Sequence, residues 1–357
     1  MQRVRAFFSG WLGLARFWAG IVFFLAASAL ALQGMEPGGH RAPPPAPAVA
    51  VVTPDAAPAP VAEPAPLPQA IAKPIQPMAE HPGRDTPGPV ADPDPALQEP
   101  YGSADAEYLP RIAPDGRKPM NLYAGGSDPS SVRPRIGLII AGFGQIPADT
   151  KVAINDLPAG VSFAVSPYTR NLEPLLASAR LLGHEYWLSL PMEPEGFPTN
   201  DPGPRALMTS LSPEQNLPRL NWFLSRLNGY VGVTPIMGAL RGSRFIEQPA
   251  QLQSVLRETN QRGLIYLDPR NAVSEPRIGW ARGIDIIIDE PATAAEIDAK
   301  LTAIEKRARE QGSAVGLVTA PRPVMVERLT AWTAAMTRNG VAFAPLSALM
   351  LPATAAQ

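Results

Sequence analysis

The distribution of proline divides this 357-residue chain before any other feature does: 24 of its 44 prolines lie between Pro37 and Pro134. Proline fixes φ and donates no backbone hydrogen bond. Runs such as Pro43-Pro44-Pro45-Ala46-Pro47 and Ala57-Pro58-Ala59-Pro60 therefore favour extended, solvated backbone over a packed fold. Residues 37–134 read as a Pro/Ala-rich disordered linker, a tether rather than a domain. The foldable part is residues 135–352, long enough for one core of α/β-barrel size, with a short tail over 353–357.

Ahead of the linker, Arg3, Arg5 and Arg16 precede an uncharged run of 19 residues from Phe17 to Met35. That is close to the roughly 20 residues that cross a bilayer core, and a positive flank stays cytoplasmic. Residues 1–36 thus read as an N-terminal membrane anchor. Ala29-Leu30-Ala31 also fits the small-x-small pattern of a processing site, so a cleaved signal peptide is the alternative. Either route puts the remainder outside the cytoplasm. A net charge of −1 argues against nucleic acid as a partner, since neutralising phosphates takes a basic surplus.

Beyond Arg135 short apolar runs alternate with helical periodicity. Strands are predicted at Ile136–Ile140, Val161–Val165, Tyr186–Leu190, Tyr230–Val233, Leu264–Leu267, Ile284–Ile288, Ala314–Val318 and Val341–Ala344. Their Val, Ile and Leu runs lack strict alternation, as in strands covered on both faces. Helices are predicted at Asn171–Leu182, Pro213–Leu227, Gln248–Arg262, Thr293–Gln311 and Val324–Asn339. Ser212-Pro213 marks a helix start, and Gly183, Gly263, Gly312 and Gly340 mark helix ends. The alternation predicts an α/β fold with a parallel sheet: an incomplete (β/α) barrel of seven or eight strands, or an open doubly wound sheet.

In such folds function gathers at the C-terminal ends of the strands. That rule selects Gly142, Ser166, Ser189, Glu193, Thr234, Asp268, Arg270, Asp289, Glu290 and Arg322, together with Arg241 and Arg244. It leaves His184, the one histidine of this region, on the opposite, structural face. Arginine suits bidentate recognition of carboxylate or phosphate, with ion pairing to Asp268, Asp289 or Glu290 as the plainer role. Tyr168, Trp222 and Trp280 offer faces for sugar stacking, although Trp222 falls within a helical pattern that also suits core packing.

Gly183-His184-Glu185 before an apolar strand, then Leu190-Pro191-Met192-Glu193-Pro194, Val231-Gly232-Val233 before Met237-Gly238, and Leu267-Asp268-Pro269-Arg270 together resemble the divergent polysaccharide deacetylase family. The resemblance implies an incomplete (β/α) barrel, exported in Gram-negative bacteria, acting in carbohydrate and cell-envelope metabolism. It also implies a divalent metal held by aspartate and histidines, which polarises an acetamide and activates water. Several of the implied ligands are replaced here. Ala141-Gly142 stands where the family has paired aspartates, Ile236 where it has histidine, and Ser189 where another histidine is common.

Glu193 and Asp268 match and are the catalytic candidates, but two carboxylates fall short of the roughly three ligands a catalytic zinc site needs. The expectation is therefore a membrane-tethered pseudoenzyme without a cofactor. Its ligand-binding candidates are Ser189, Arg241, Arg244, Arg270, Asp289 and Arg322. Its partner would be a cell-envelope glycan or a periplasmic protein, with the membrane engaged through the N-terminal helix. The expected location is the inner membrane with the domain in the periplasm, or the periplasm if the signal is cleaved. The alternative is an active deacetylase using a rearranged divalent-metal site.

Overall fold

The computed structural model describes residues 82–102, 107–128, 130–271 and 278–353. The predicted anchor or signal over 1–36 and the first half of the linker lie outside the described residues. Among the described residues no helix is long and apolar enough to cross a membrane.

The predicted alternation is realised. The strands are β3 (Arg135–Phe143), β4 (Val161–Val165), β5 (Tyr186–Ser189), β6 (Gly232–Thr234), β7 (Ile265–Asp268), β8 (Ala281–Gly283), β9 (Ile286–Ile287), β10 (Ser313–Val318) and β11 (Ala342–Phe343). They form one parallel sheet in the order β8-β7-β6-β5-β4-β3-β10-β9, with β11 alongside the start of β3. The sheet is a curled, incomplete barrel that remains open, since β8 and β9 do not pair. The short segment carrying both edge strands crosses between the margins. Ile284 N–H donates to Asp268 and Asp285 N–H to Val315.

Helices cover the outside: α2 (Pro147–Asp156), α3 (Glu173–Leu181), α4 (Pro213–Leu224), α5 (Ser243–Ile246), α6 (Pro249–Gln261), α7 (Ala294–Gln311) and α8 (Pro323–Arg338). At the start of α4, Ser212 and Gln215 form a reciprocal capping box, and Pro213 occupies the first turn, where its missing N–H costs nothing. Gly312 ends α7 in the left-handed region. Neither α2 nor α5 is among the predicted helices. α2 has almost no apolar periodicity, with Thr150, Ala153 and Ile154 as its buried residues, and α5 is a single turn.

Alternate strand residues face two cores. Ile136, Leu138, Ile140, Phe163, Val165, Leu188 and Val318 pack outward against the helices. Ile139, Ala141, Ala164, Trp187, Ile265, Leu267, Val315 and Leu317 fill the barrel. Trp187 is the largest of these, and Gly232 makes room for it: a Cβ there would sit 2.8 Å from the indole and 2.4 Å from Ile265 O.

One domain expectation is corrected. Residues 82–102 and 107–128, read as linker, are folded onto the domain. Val90, Leu97, Ala113, Met120, Tyr123 and Ala124 are buried and join the interior cluster. A two-strand ladder, β1 (Gln98–Pro100) with β2 (Tyr108–Pro110), and a short helix α1 (Pro119–Leu122) give the segment shape. Its prolines do not oppose this. Pro95 and Pro119 open helical turns, where a backbone donor is not needed, and Asp94 caps the first by accepting from Ala96 N–H. Proline density alone did not distinguish this half of the segment from the Ala/Pro-rich stretch before it.

Candidate functional site

At the strand ends each candidate carboxylate is already engaged. Glu193, just beyond β5, accepts from Thr209 N–H and Oγ1, both at 2.7 Å, and pairs with Arg244 at 3.1 Å. Asp268, closing β7, accepts from the N–H, Nε and NH2 of Arg270 at 2.8, 2.9 and 2.7 Å. Asp289, after β9, accepts from Thr319 N–H and Oγ1 and pairs with Arg322 at 3.0 Å. Glu290 pairs with Arg241. The rim is thus a set of four carboxylate–guanidinium pairs.

The pairs are asymmetric. The side chains of Glu193, Asp268 and Asp289 are 4, 3 and 1 % exposed, whereas those of Arg244, Arg270 and Arg322 are 55, 34 and 49 % exposed. The acids are sunk and the cations stand over them, nearer the solvent. Buried acids without partners would carry a large desolvation cost, and each of these three is offset by a guanidinium and by backbone donors.

Ser189 is buried and its hydroxyl donates to Ile236 O at 2.6 Å, which ties β5 to the loop after β6. That loop closes on itself at Met237–Leu240, where each N–H donates to the other's carbonyl. It reaches across the barrel mouth: Ser166 Oγ, after β4, contacts Met237 Sδ at 3.9 Å, and a Cβ on Gly238 would lie 3.8 Å from Thr319 O. Thr209 and Thr319 are the polar residues sequence reasoning missed. Thr319 directly follows a predicted strand and was findable on that ground. Thr209 lies 16 residues past Glu193, in a loop with no local signal.

A divalent ion does not fit these residues. Among the described residues no three His, Cys, Asp or Glu side chains converge to hold one. Ala141 and Ile236, at positions where the resemblance implies aspartate and histidine, are fully buried apolar side chains.

His184 lies at the opposite end of the barrel, wholly buried, with its ring nitrogens 2.8 Å from Val161 O and 3.1 Å from Ile154 O. Burial lowers its pKa, partly opposed by those two carbonyls. Because the folded state holds the neutral form, the unfolded chain takes up the proton first as pH drops below about 6.5. Stability should therefore fall as pH is lowered through that value towards the lower folded pKa. His184→Gln should flatten the dependence of the urea midpoint between pH 7.5 and 5.5. An unchanged slope in that variant would assign the effect elsewhere.

A cavity of about 1020 Å³ opens on the flank between α3 and the C-terminal end of α4, with Tyr168, Arg170, Arg205 and Trp222 in its wall. Trp222 packs against Phe223 and Tyr168, whereas Trp280, the third aromatic candidate, packs against the interior cluster.

A family model described as divergent polysaccharide deacetylase matches residues 138–350. Among solved structures, an uncharacterized protein from Agrobacterium tumefaciens C58 is 28% identical with a TM-score of 0.62, covering 68% of this chain and 99% of its own. A putative cellobiose-phosphate cleavage protein from Enterococcus faecalis V583 is 13% identical with a TM-score of 0.44, covering 61% and 100%. The catalytic domain of a peptidoglycan N-acetylglucosamine deacetylase from Eubacterium rectale ATCC 33656 is 12% identical with a TM-score of 0.38, covering 66% and 96%. The last two are too distant to bear on chemistry. Comparison with curated proteins gave no match.

Proposed function

Because the chain belongs to the divergent polysaccharide deacetylase family, we propose that it is a carbohydrate-binding protein of the cell envelope, exported and held at the inner membrane, that engages glycan at its strand ends without hydrolysing it. The observation that carries this reading is the rim of paired charges. Deacetylation needs an activated water and a carboxylate free to take its proton. Here Glu193 and Asp268 each spend their oxygens on a guanidinium, and Glu193 on a threonine as well. Ser189 spends its hydroxyl on a carbonyl and faces no base. What remains available is the outward edge of Arg244 and of Arg322. A guanidinium carries five N–H donors, and those of Arg244 and Arg322 not used on the buried acid suit the carboxylates or phosphates of an acidic envelope glycan.

The reading is tested with the purified protein on acetylated chitin oligomers and on peptidoglycan, with zinc or cobalt supplied. Acetate release should not exceed the buffer rate, and sedimenting peptidoglycan should carry the protein down. Arg244→Gln combined with Arg322→Gln should weaken that co-sedimentation about tenfold, the scale of one lost charge-assisted hydrogen bond. Turnover that disappears in Asp268→Asn would overturn the proposal in favour of an active deacetylase. Failure to sediment with glycan would point instead to a protein partner.

A further inference from the structure

The cavity on the flank between α3 and α4 carries features that the strand-end rim does not explain. Two non-glycine residues with positive φ are found among the described residues, Asn171 at 56° and Arg205 at 68°, and both line this cavity. Left-handed backbone is unfavourable for residues bearing a Cβ, and such strain tends to persist where the surrounding structure enforces it for a purpose. The enforcement at Arg205 is visible. Tyr168 Oη donates to Pro204 O at 2.5 Å, and Arg219 NH1 donates to Ala206 O at 2.8 Å, so the residues on either side are pinned. Gly203 lets the Tyr168 ring close against the loop, where a Cβ would lie 2.8 Å from it. Burial pushes the Tyr168 phenol up to about 12, so the donor is kept at any ordinary pH.

The result is a guanidinium held over an indole. The Arg205 Cζ lies 4.9 Å from the Trp222 ring centre, and that of Arg226 lies 5.1 Å from it. Tyr168 stands alongside, its ring 6.4 Å from Trp222. The charge of the wall is unbalanced. Glu173 pairs with Arg180 and Glu107 with Arg226, while Arg170 and Arg205 are exposed and in no ion pair among the described residues. At about 1020 Å³ the space matches the upper end of the roughly 300–1,000 Å³ typical of ligand sites.

We infer that this cavity is a second binding site, separate from the strand-end rim, for an anionic saccharide: Tyr168 supplies an apolar face to a sugar ring, and Arg205, held on the Trp222 indole, receives the carboxylate or phosphate together with Arg170. The Tyr168 face gives affinity for the C–H surface of a ring, and the guanidinium forks select charge. The strained backbone of Arg205 is explained as preorganisation, which removes the ordering cost from binding.

Calorimetric titration of the full-length chain tests this with trigalacturonate as the carboxylate probe, glucose 6-phosphate as the phosphate probe and chitotriose as the neutral control. Trigalacturonate or glucose 6-phosphate should bind, the tighter of them identifying the anion, and chitotriose should bind at least tenfold more weakly. Arg205→Gly should lower that affinity by about tenfold or more while leaving the melting temperature unchanged or raised, since glycine adopts positive φ without strain. A purely structural Arg205 would instead show a lowered melting temperature with affinity intact. Arg328→Gln, which breaks an exposed ion pair on α8 outside both sites, should leave this binding unchanged. The inference is overturned if neither anion binds, if chitotriose binds as well, or if Arg205→Gly and Arg170→Gln both retain full affinity. Loss of binding in the rim variants alone would remove this site and leave the strand-end reading standing.

Discussion

A chain cut to begin at Arg135 should not fold stably, whereas one beginning at Pro82 should melt cooperatively. The first boundary is where composition places the domain; the second is where packing places it. Val90, Leu97, Met120 and Tyr123 enter the interior cluster with Trp187, Ile139 and Leu267. Burying side chains of this size is worth about 1.5–3 kcal/mol each, so the four contribute roughly 6–12 kcal/mol. That is the scale of a whole domain's net stability, about 5–15 kcal/mol. Removing them also uncovers the floor of the barrel, and exposed apolar surface of that kind drives association. The comparison is made by urea unfolding and by tryptophan emission. Equal midpoints and an unshifted emission maximum in the two chains would show that the segment is an ornament rather than part of the core.

Nearly as large an effect is expected from Glu185→Ala. Glu185 is fully buried and accepts five hydrogen bonds: from Gly125 N–H and Ser162 Oγ at 2.9 Å, Trp187 Nε1 at 3.2 Å, and Ser347 N–H and Oγ at 3.0 and 2.5 Å. Those donors come from the 82–128 segment, β4, β5 and the C-terminal turn Leu346–Leu349. One carboxylate thereby joins both ends of the described chain to the barrel floor. Alanine would leave every donor unpaired at about 1–3 kcal/mol for each that water cannot reach, so a loss of about 4 kcal/mol or more is expected. For a domain of this size that lowers the melting temperature by about 10 °C. Limited proteolysis should also cut the segment around Gly125 faster than in the parent protein. A midpoint within experimental error of the parent would mean that these hydrogen bonds contribute little net stability.

Much of this architecture is written locally. Val161–Val165 and Ala314–Val318 are predicted and observed as strands because an apolar run covered on both faces has little other way to be satisfied. Ser212-Pro213 opens α4 because the cap chemistry is contained within four residues. What could not be read depends on partners remote in sequence. β8 is only three residues long and is a strand because β7 lies beside it. The burial of Leu97 depends on a barrel floor that forms from later sequence. At the rim, each arginine and acid was legible as a strand-end residue, yet the partner choice, such as Arg244 with Glu193, was not, because 51 residues separate them. The cavity beside Trp222 was hidden for a related reason. Its walls come from the β4–α3 loop, the loop before α4 and the end of α4 itself, and helical periodicity assigned Trp222 to a face without saying that the face lines a cavity.

The segment Ala281–Ile287 belongs to both margins of the sheet, its first residues paired with β7 and its last with β10. In an ordinary open sheet the outermost strands fray independently, each with its own low free energy of opening. Here one margin cannot peel away without pulling on the other, since they are joined by two residues of backbone. The margins should therefore exchange their amide hydrogens together, as one cooperative unit. An opening in the pairing pattern is bridged by the continuity of the chain.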